Sequence, residues 1–174
     1  MNPTVISAGQ TGADYGALLA ARELKLNIKG WANNGWKTQN GPNLELTDWG
    51  LLENQVASYA STDRKNVDLT DVLIAFRYRI SETGRGTSCT VNYALTKKYK
   101  YVELDESQDY KIYEGKKPAI VFWDLNEKNL ENFSNILHDF LSKYQPNNIM
   151  ITGPCQSTIE CEQLIKKLLI SSLK

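Results

Sequence analysis

The chain is poor in the residues that build metal and disulfide chemistry. It has one histidine, His138, and three cysteines, Cys89, Cys155 and Cys161, in 174 residues. An odd cysteine count with no C-x-x-C spacing argues against a disulfide framework and a zinc site, so reduced thiols in a cytoplasmic setting are expected. Net charge is also missing. Lys plus Arg and Asp plus Glu both number 20, which leaves no basic field for DNA or RNA. No apolar run approaches the roughly 20 residues that cross a bilayer. The opening MNPTVISAG has no basic segment followed by a long apolar one, so no signal peptide is expected. What is present is ordinary: 41% hydrophobic and 23% charged residues fit a single soluble globular domain over 1–174 with room for a substantial core.

Strands and helices alternate along this chain. Thr4-Val5-Ile6 reads as a short buried strand and 15–24 (YGALLAAREL) as a helix. Ile28 to Trp31 suggests a second strand, leading into a Gly/Asn-rich loop over 33–43 that Trp31 and Trp36 would order. Residues 49–67 carry apolar positions at mixed helical spacing, with Ser61 or Thr62 as a cap. Asp71 to Phe76 is the clearest buried strand, a continuous apolar run of the kind parallel sheets use. A polar loop over 77–86 then leads to a helix from Thr87 to about Lys98. Tyr101 to Leu104 and Ala119 to Trp123 read as strands, separated by a polar stretch, 105–117, expected as a long loop or an added hairpin. Leu130 to Tyr144 is a helix with Leu130, Phe133, Leu137, Phe140 and Leu141 on one face. Ile149 to Ile151 is the last strand, and a helix runs through Leu173. This order predicts an α/β sandwich around a mostly parallel sheet with right-handed crossovers.

Three strand ends carry turn chemistry of one kind. They are Gly9-Gln10-Thr11-Gly12 with Asp14 after the first strand, Gly84-Arg85-Gly86-Thr87-Ser88 after the central strand, and Thr152-Gly153-Pro154 after the last. N–H groups at a helix start lack intrahelical partners and carry partial positive charge, so such turns suit a phosphate. The plain alternative for each is a tight strand-to-helix connection, with Thr11 or Asp14 capping the first helix. Their coincidence favours binding, because open sheets place ligands beyond the carboxyl ends of their strands. Phosphate-bearing ligands are expected to dock across Gly12 and Gly86.

Taken in order, the residues resemble the molybdenum cofactor carrier family. The resemblance rests on Gly9-Gln10-Thr11-Gly12-Ala13-Asp14, Gly30-Trp31, Lys37 with Asn40-Gly41-Pro42, Arg64-x-Asn66-Val67 with Asp71, and Gly84-x-Gly86-Thr87. It continues through Lys117-Pro118 and Asn148-Ile149-x-Ile151-x-Gly153-Pro154, so it spans nearly the whole chain. It implies a Rossmann-like three-layer fold within the lysine-decarboxylase-like, or SLOG, superfamily. It also implies a homo-oligomer, a dimer or tetramer, that binds and protects the molybdenum cofactor, a phosphorylated pterin carrying a dithiolene-bound metal. The site would draw on Gly9, Gln10, Thr11, Gly12, Asp14, Gly84, Gly86, Thr87, Ser88 and Gly153. Lys37, Arg64, Asn66 and Arg85 would meet the oxyanionic metal centre.

Some positions depart from that family. Cys155 follows the final Gly-Pro where arginine is common, Asn40 stands for an aspartate, Tyr15 replaces a frequent arginine, and 105–117 looks inserted. Two alternatives follow from the wider group. One is a binder or sensor of a nucleotide-derived signal, cyclic or ADP-ribose-like, in which Trp31, Trp36 and Tyr59 would stack on the base. The other is a nucleoside-monophosphate phosphoribohydrolase, which would place a glutamate shortly after the glycine-threonine turn. Residues 88–91 hold no carboxylate, which disfavours general acid–base chemistry there. Asp14 and Asp71 are the remaining acids, better explained as cap and strand-end residues, and His138 has no nucleophile or metal cluster beside it.

Overall fold

The computed structural model describes residues 1–80, 84–154 and 159–174. In chain order the elements are β1 (Thr4–Ile6), α1 (Ala13–Glu23), β2 (Ile28–Lys29), β3 (Trp31–Ala32), β4 (Lys37–Thr38), β5 (Gly41–Pro42), α2 (Glu45–Asp48) and β6 (Leu52–Glu53). They continue with α3 (Tyr59–Leu69), β7 (Val72–Arg77), α4 (Arg85–Thr96), β8 (Tyr110–Tyr113), β9 (Ala119–Trp123), α5 (Leu130–Tyr144), β10 (Asn148–Thr152) and α6 (Ile159–Leu173). Six strands form the main sheet in the order β2-β1-β10-β7-β9-β8. All neighbours are parallel except β8, which runs antiparallel to β9.

The long apolar runs become central strands because both of their faces are covered. Val72, Ile74 and Phe76 join one core with Ile120, Phe122, Ile149 and Ile151, under α1, α5 and α6. Leu73 and Ala75 join the opposite core with Val121, Met150 and residues of α3 and α4. The two-residue period of a strand divides each run between two helical layers. The result is the α/β three-layer sandwich of a Rossmann-like fold. A third, smaller cluster of Leu18, Ala32, Leu46 and Leu51 underlies the Gly/Asn-rich segment.

Two expected elements differ. Tyr101 to Leu104 forms no strand; the segment crosses the second core with Leu104 packed on it, and Trp123 Nε1 donates to the Asp105 carbonyl at 3.1 Å. The edge position goes instead to β8, inside the polar stretch, with Tyr110 opposite Phe122. Its tyrosines flank Lys111 and Ile112, and the lysine guards this exposed edge. The second difference is the cap of α3, which starts at Tyr59 and so holds Ser61 and Thr62, the expected caps, inside the helix. Ser58 caps it, its Oγ accepting from the Ser61 N–H at 3.2 Å.

Strand order sets the place for a ligand. α1, which follows β1, lies on one face, whereas α4, which follows β7, lies on the other, and β10 sits between the two strands. Chains leaving adjacent strands toward opposite faces open a crevice at the carboxyl edge.

Candidate functional site

A cavity of about 510 Å³ fills that crevice, within the range of small-molecule sites. Its walls come from the segment after β1 (Ala8, Gln10, Asp14), the start of α4 (Gly84, Gly86, Thr87, Thr90) and the end of β10 (Thr152, Gly153, Pro154). Asn33, Gln39, Tyr59, Asp63 and Tyr99 complete it. A smaller hollow of about 110 Å³ adjoins it, shares Asn33 and Tyr59, and is also lined by Lys37 and Ser58.

The α4 turn is built to face a ligand with backbone. Gly84 caps the helix at φ 109°, and the first described intrahelical bond is Ser88 N–H to the Gly84 carbonyl at 3.1 Å. The N–H groups of Arg85, Gly86 and Thr87 precede that bond, which leaves them for an anion. Arg77, at the end of β7, braces the turn from behind: its Nη1 donates to the Gly84 carbonyl at 3.0 Å and to Ser88 Oγ. Its buried Nε meets no hydrogen-bond partner among the described residues.

The cavity presents polar groups that the protein leaves uncommitted. Asn33, Thr87 and Thr152 are 7%, 5% and 7% exposed. Their side chains line the cavity and hydrogen-bond to no other described residue. Their polar atoms reach the cavity surface, open to a ligand, whereas the buried side-chain atom left unpaired among the described residues is Arg77 Nε.

Two acids share this wall. Burial pushes the Asp14 carboxyl up to about 8, the negative charge of Asp63 adds to the rise, and the N–H groups of Gln10 and Ala8 oppose it. Burial likewise raises Asp63 to about 6, against hydrogen bonds from Tyr99 and Thr90 and the charge of Arg64. The Tyr99 hydroxyl donates to Asp63 Oδ2 at 2.6 Å.

Of the residues expected at the site, Gln10, Asp14, Gly84, Gly86, Thr87 and Gly153 meet at this cavity. The others lie elsewhere. Gly9 packs on Leu46, within 2.7 Å of where a Cβ would stand. Thr11 is bound to Gln10 and Gln39. The Gly12 N–H donates to Glu162 Oε1 at 3.4 Å, so a carboxylate of α6 already faces the first glycine turn. Asn66 is fully buried and clasps Trp31, accepting from its N–H at 2.7 Å and donating to its carbonyl at 3.0 Å. Ser88 accepts from Arg77. The Arg64 guanidinium lies 5.6 Å from the Tyr99 ring centroid and that of Arg85 4.0 Å from Tyr101. Lys37 lines only the adjoining hollow. Cys155 lies outside the described residues.

Trp31 and Trp36 do not line the cavity; Tyr59 does. Asp71 accepts from the Asn147 and Asn148 N–H groups at 2.9 and 2.8 Å, a strand-end role. His138 meets the Ser172 carbonyl through Nδ1 at 3.0 Å, away from the cavity. Asp63 and Tyr99 were missed by sequence reasoning. They sit on α3 and after α4 with no glycine turn to mark them. Their only signal is the three-dimensional meeting itself.

The family described as circularly permutated YpsA SLOG matches residues 5–114, which include every cavity wall except Thr152 to Pro154. A crystal structure from Syntrophus aciditrophicus SB, named a "putative molybdenum carrier protein", is similar over 99% of this chain and 96% of that one. Its identity is 24% and its TM-score 0.77, a likeness of fold. No curated protein matches.

Proposed function

The chain belongs to the circularly permutated YpsA SLOG family, and from that premise we propose that it is a binding protein for a phosphate-bearing small molecule, with the molybdenum cofactor as its cargo. One observation carries the reading. A cavity of ligand size at the switch point of the sheet is walled by the α4 turn and by three polar side chains, Asn33, Thr87 and Thr152, that bond no other described residue. The phosphate would rest on the N–H groups of Gly86 and Thr87, and Lys37 in the adjoining hollow offers a cation to an oxyanionic group. The name of the Syntrophus aciditrophicus protein supports this cargo. We further propose a homo-oligomer, a dimer or tetramer, in the cytoplasm. Binding rather than turnover is the role, since a carrier must protect its ligand.

A second reading, a binder of a nucleotide-derived signal, is favoured by Tyr59 and Tyr99. Both line the cavity, and a flat aromatic side chain serves a purine as well as a pterin.

Native mass spectrometry of protein purified from a host that makes the molybdenum cofactor tests the proposal. A retained mass equal to the cofactor, on a dimer or tetramer, is expected. Empty protein that is also not thermally stabilised by the cofactor, by nucleotides or by cyclic dinucleotides would refute it, because a ligand of the native state must stabilise by mass action. Free base released from a nucleoside monophosphate would turn the reading to a hydrolase.

A further inference from the structure

The ionisable side chains lining the large cavity, among the described residues, are two carboxyls and two phenols: Asp14, Asp63, Tyr59 and Tyr99. Among the described residues no lysine or arginine lines it. An anion would therefore rest on backbone N–H groups at the α4 end. Whatever part of a ligand meets the ionised Asp63 must donate hydrogen bonds, whereas Asp14, which keeps its proton to about pH 8, can donate one itself.

Asp63 is equipped to receive them. The Tyr99 hydroxyl holds one oxygen at 2.6 Å. An ionised carboxylate has about four acceptor sites, so it retains capacity toward the cavity while being fixed in place. Asn33 and Thr152, whose side chains bond no other described residue, line the same space and present polar atoms to it. Such groups also seek a polar ligand rather than a hydrocarbon one. Tyr59 and Tyr99 in the same lining offer flat surfaces to a ring.

We propose that Asp63, with Asp14 beside it, is the specificity-determining wall of the cavity and selects a ring that presents two adjacent N–H donors. The 2-amino-4-oxo edge shared by pterins and guanine is that chemistry. Its ring N–H and exocyclic amine lie side by side, matching the two oxygens of one carboxylate. Adenine and hypoxanthine lack this pair: each offers a single donor group on the corresponding edge, which would leave one oxygen of Asp63 unmatched. The inference rests on the binding role proposed above and names which heterocycle that role serves.

Titration calorimetry on the full chain tests it, with phosphorylated 6-hydroxymethylpterin, GMP, IMP, AMP and ribose 5-phosphate as probes. The phosphorylated pterin and GMP are expected to bind about tenfold or more tightly than the other three. Their order tells whether the ring is a pterin or a purine. Asp63→Asn should weaken both by about tenfold or more, since an amide offers one acceptor where the carboxylate offers two, while IMP and AMP change little. Equal binding of GMP, IMP and ribose 5-phosphate to the wild-type chain would overturn this inference alone and leave the binding role intact. No binding by any probe would overturn this inference, and joined to empty protein that the cofactor fails to stabilise it would overturn the binding role as well. The wild-type series decides the matter even if the variant folds poorly.

Discussion

At the scale of single residues, two glycines of the α4 turn do different work. Gly84 holds φ 109°, and a Cβ there would come within 2.7 Å of Arg77 Nε. Gly86 has nothing within 4 Å of the position of a Cβ and no positive φ. Gly84→Ala should therefore destabilise the protein by about 1 kcal/mol or more in urea unfolding, through strain and the loss of the Arg77 brace. Gly86→Asp should leave the melting temperature nearly unchanged and abolish binding of phosphorylated ligands in calorimetry. It sets a negative charge beside the N–H groups proposed to hold the phosphate. Retained affinity in Gly86→Asp would move the anion site away from this turn. The glycine pattern was readable in the sequence; which glycine carries strain and which borders open space was not.

At the scale of elements, helix ends are the joints that place the cavity. The carboxyl end of α3 is tied by Lys117, whose Nζ donates to the carbonyls of Val67, Asp68 and Thr70 at 2.7, 3.1 and 2.6 Å. A cation there satisfies terminal carbonyls and complements the helix dipole. Because Asp63 sits on α3, this joint also fixes the acid wall. Lys117→Met is expected to lower stability by about 1–3 kcal/mol in urea unfolding. A loss of a few tenths would show that water replaces the ammonium without consequence. Local sequence placed most elements well, down to the bounds of α5, because apolar spacing is a local property. It misplaced the edge strand. Tyr101 to Leu104 and Tyr110 to Tyr113 have comparable strand character, and pairing with β9 decided between them.

For the whole molecule, burying the two acids couples stability to pH. Unfolded aspartates titrate near 3.8, whereas native Asp63 and Asp14 hold their protons to about 6 and about 8. The native state thus binds more protons than the unfolded chain between about pH 4 and 8, and stability must fall as pH rises through that window. The acids held below their ordinary range, Asp68 and Glu114, act at lower pH and do not offset this. Melting temperature should fall from pH 5 to 8.5, and Asp14→Asn should flatten the upper part of the profile. A flat wild-type profile would mean that the acids are solvated. A ligand that donates to Asp63 should restore part of the loss.

Composition and apolar periodicity were enough to specify a layered α/β molecule with ligand-suited turns at its strand ends, because hydrophobic patterning and turn chemistry act over a few residues. The ordered motifs added the family. Tertiary structure alone decided which turn keeps its N–H groups uncommitted beside the cavity. Glu162, from the far end of the chain, meets the Gly12 N–H, while the α4 turn is left open. It also decided that Asp14 and Asp63, 49 positions apart in the numbering, share one wall. Electrostatic coupling depends on distance through space, and only the packing of α1 against the sheet opposite α3 sets that distance.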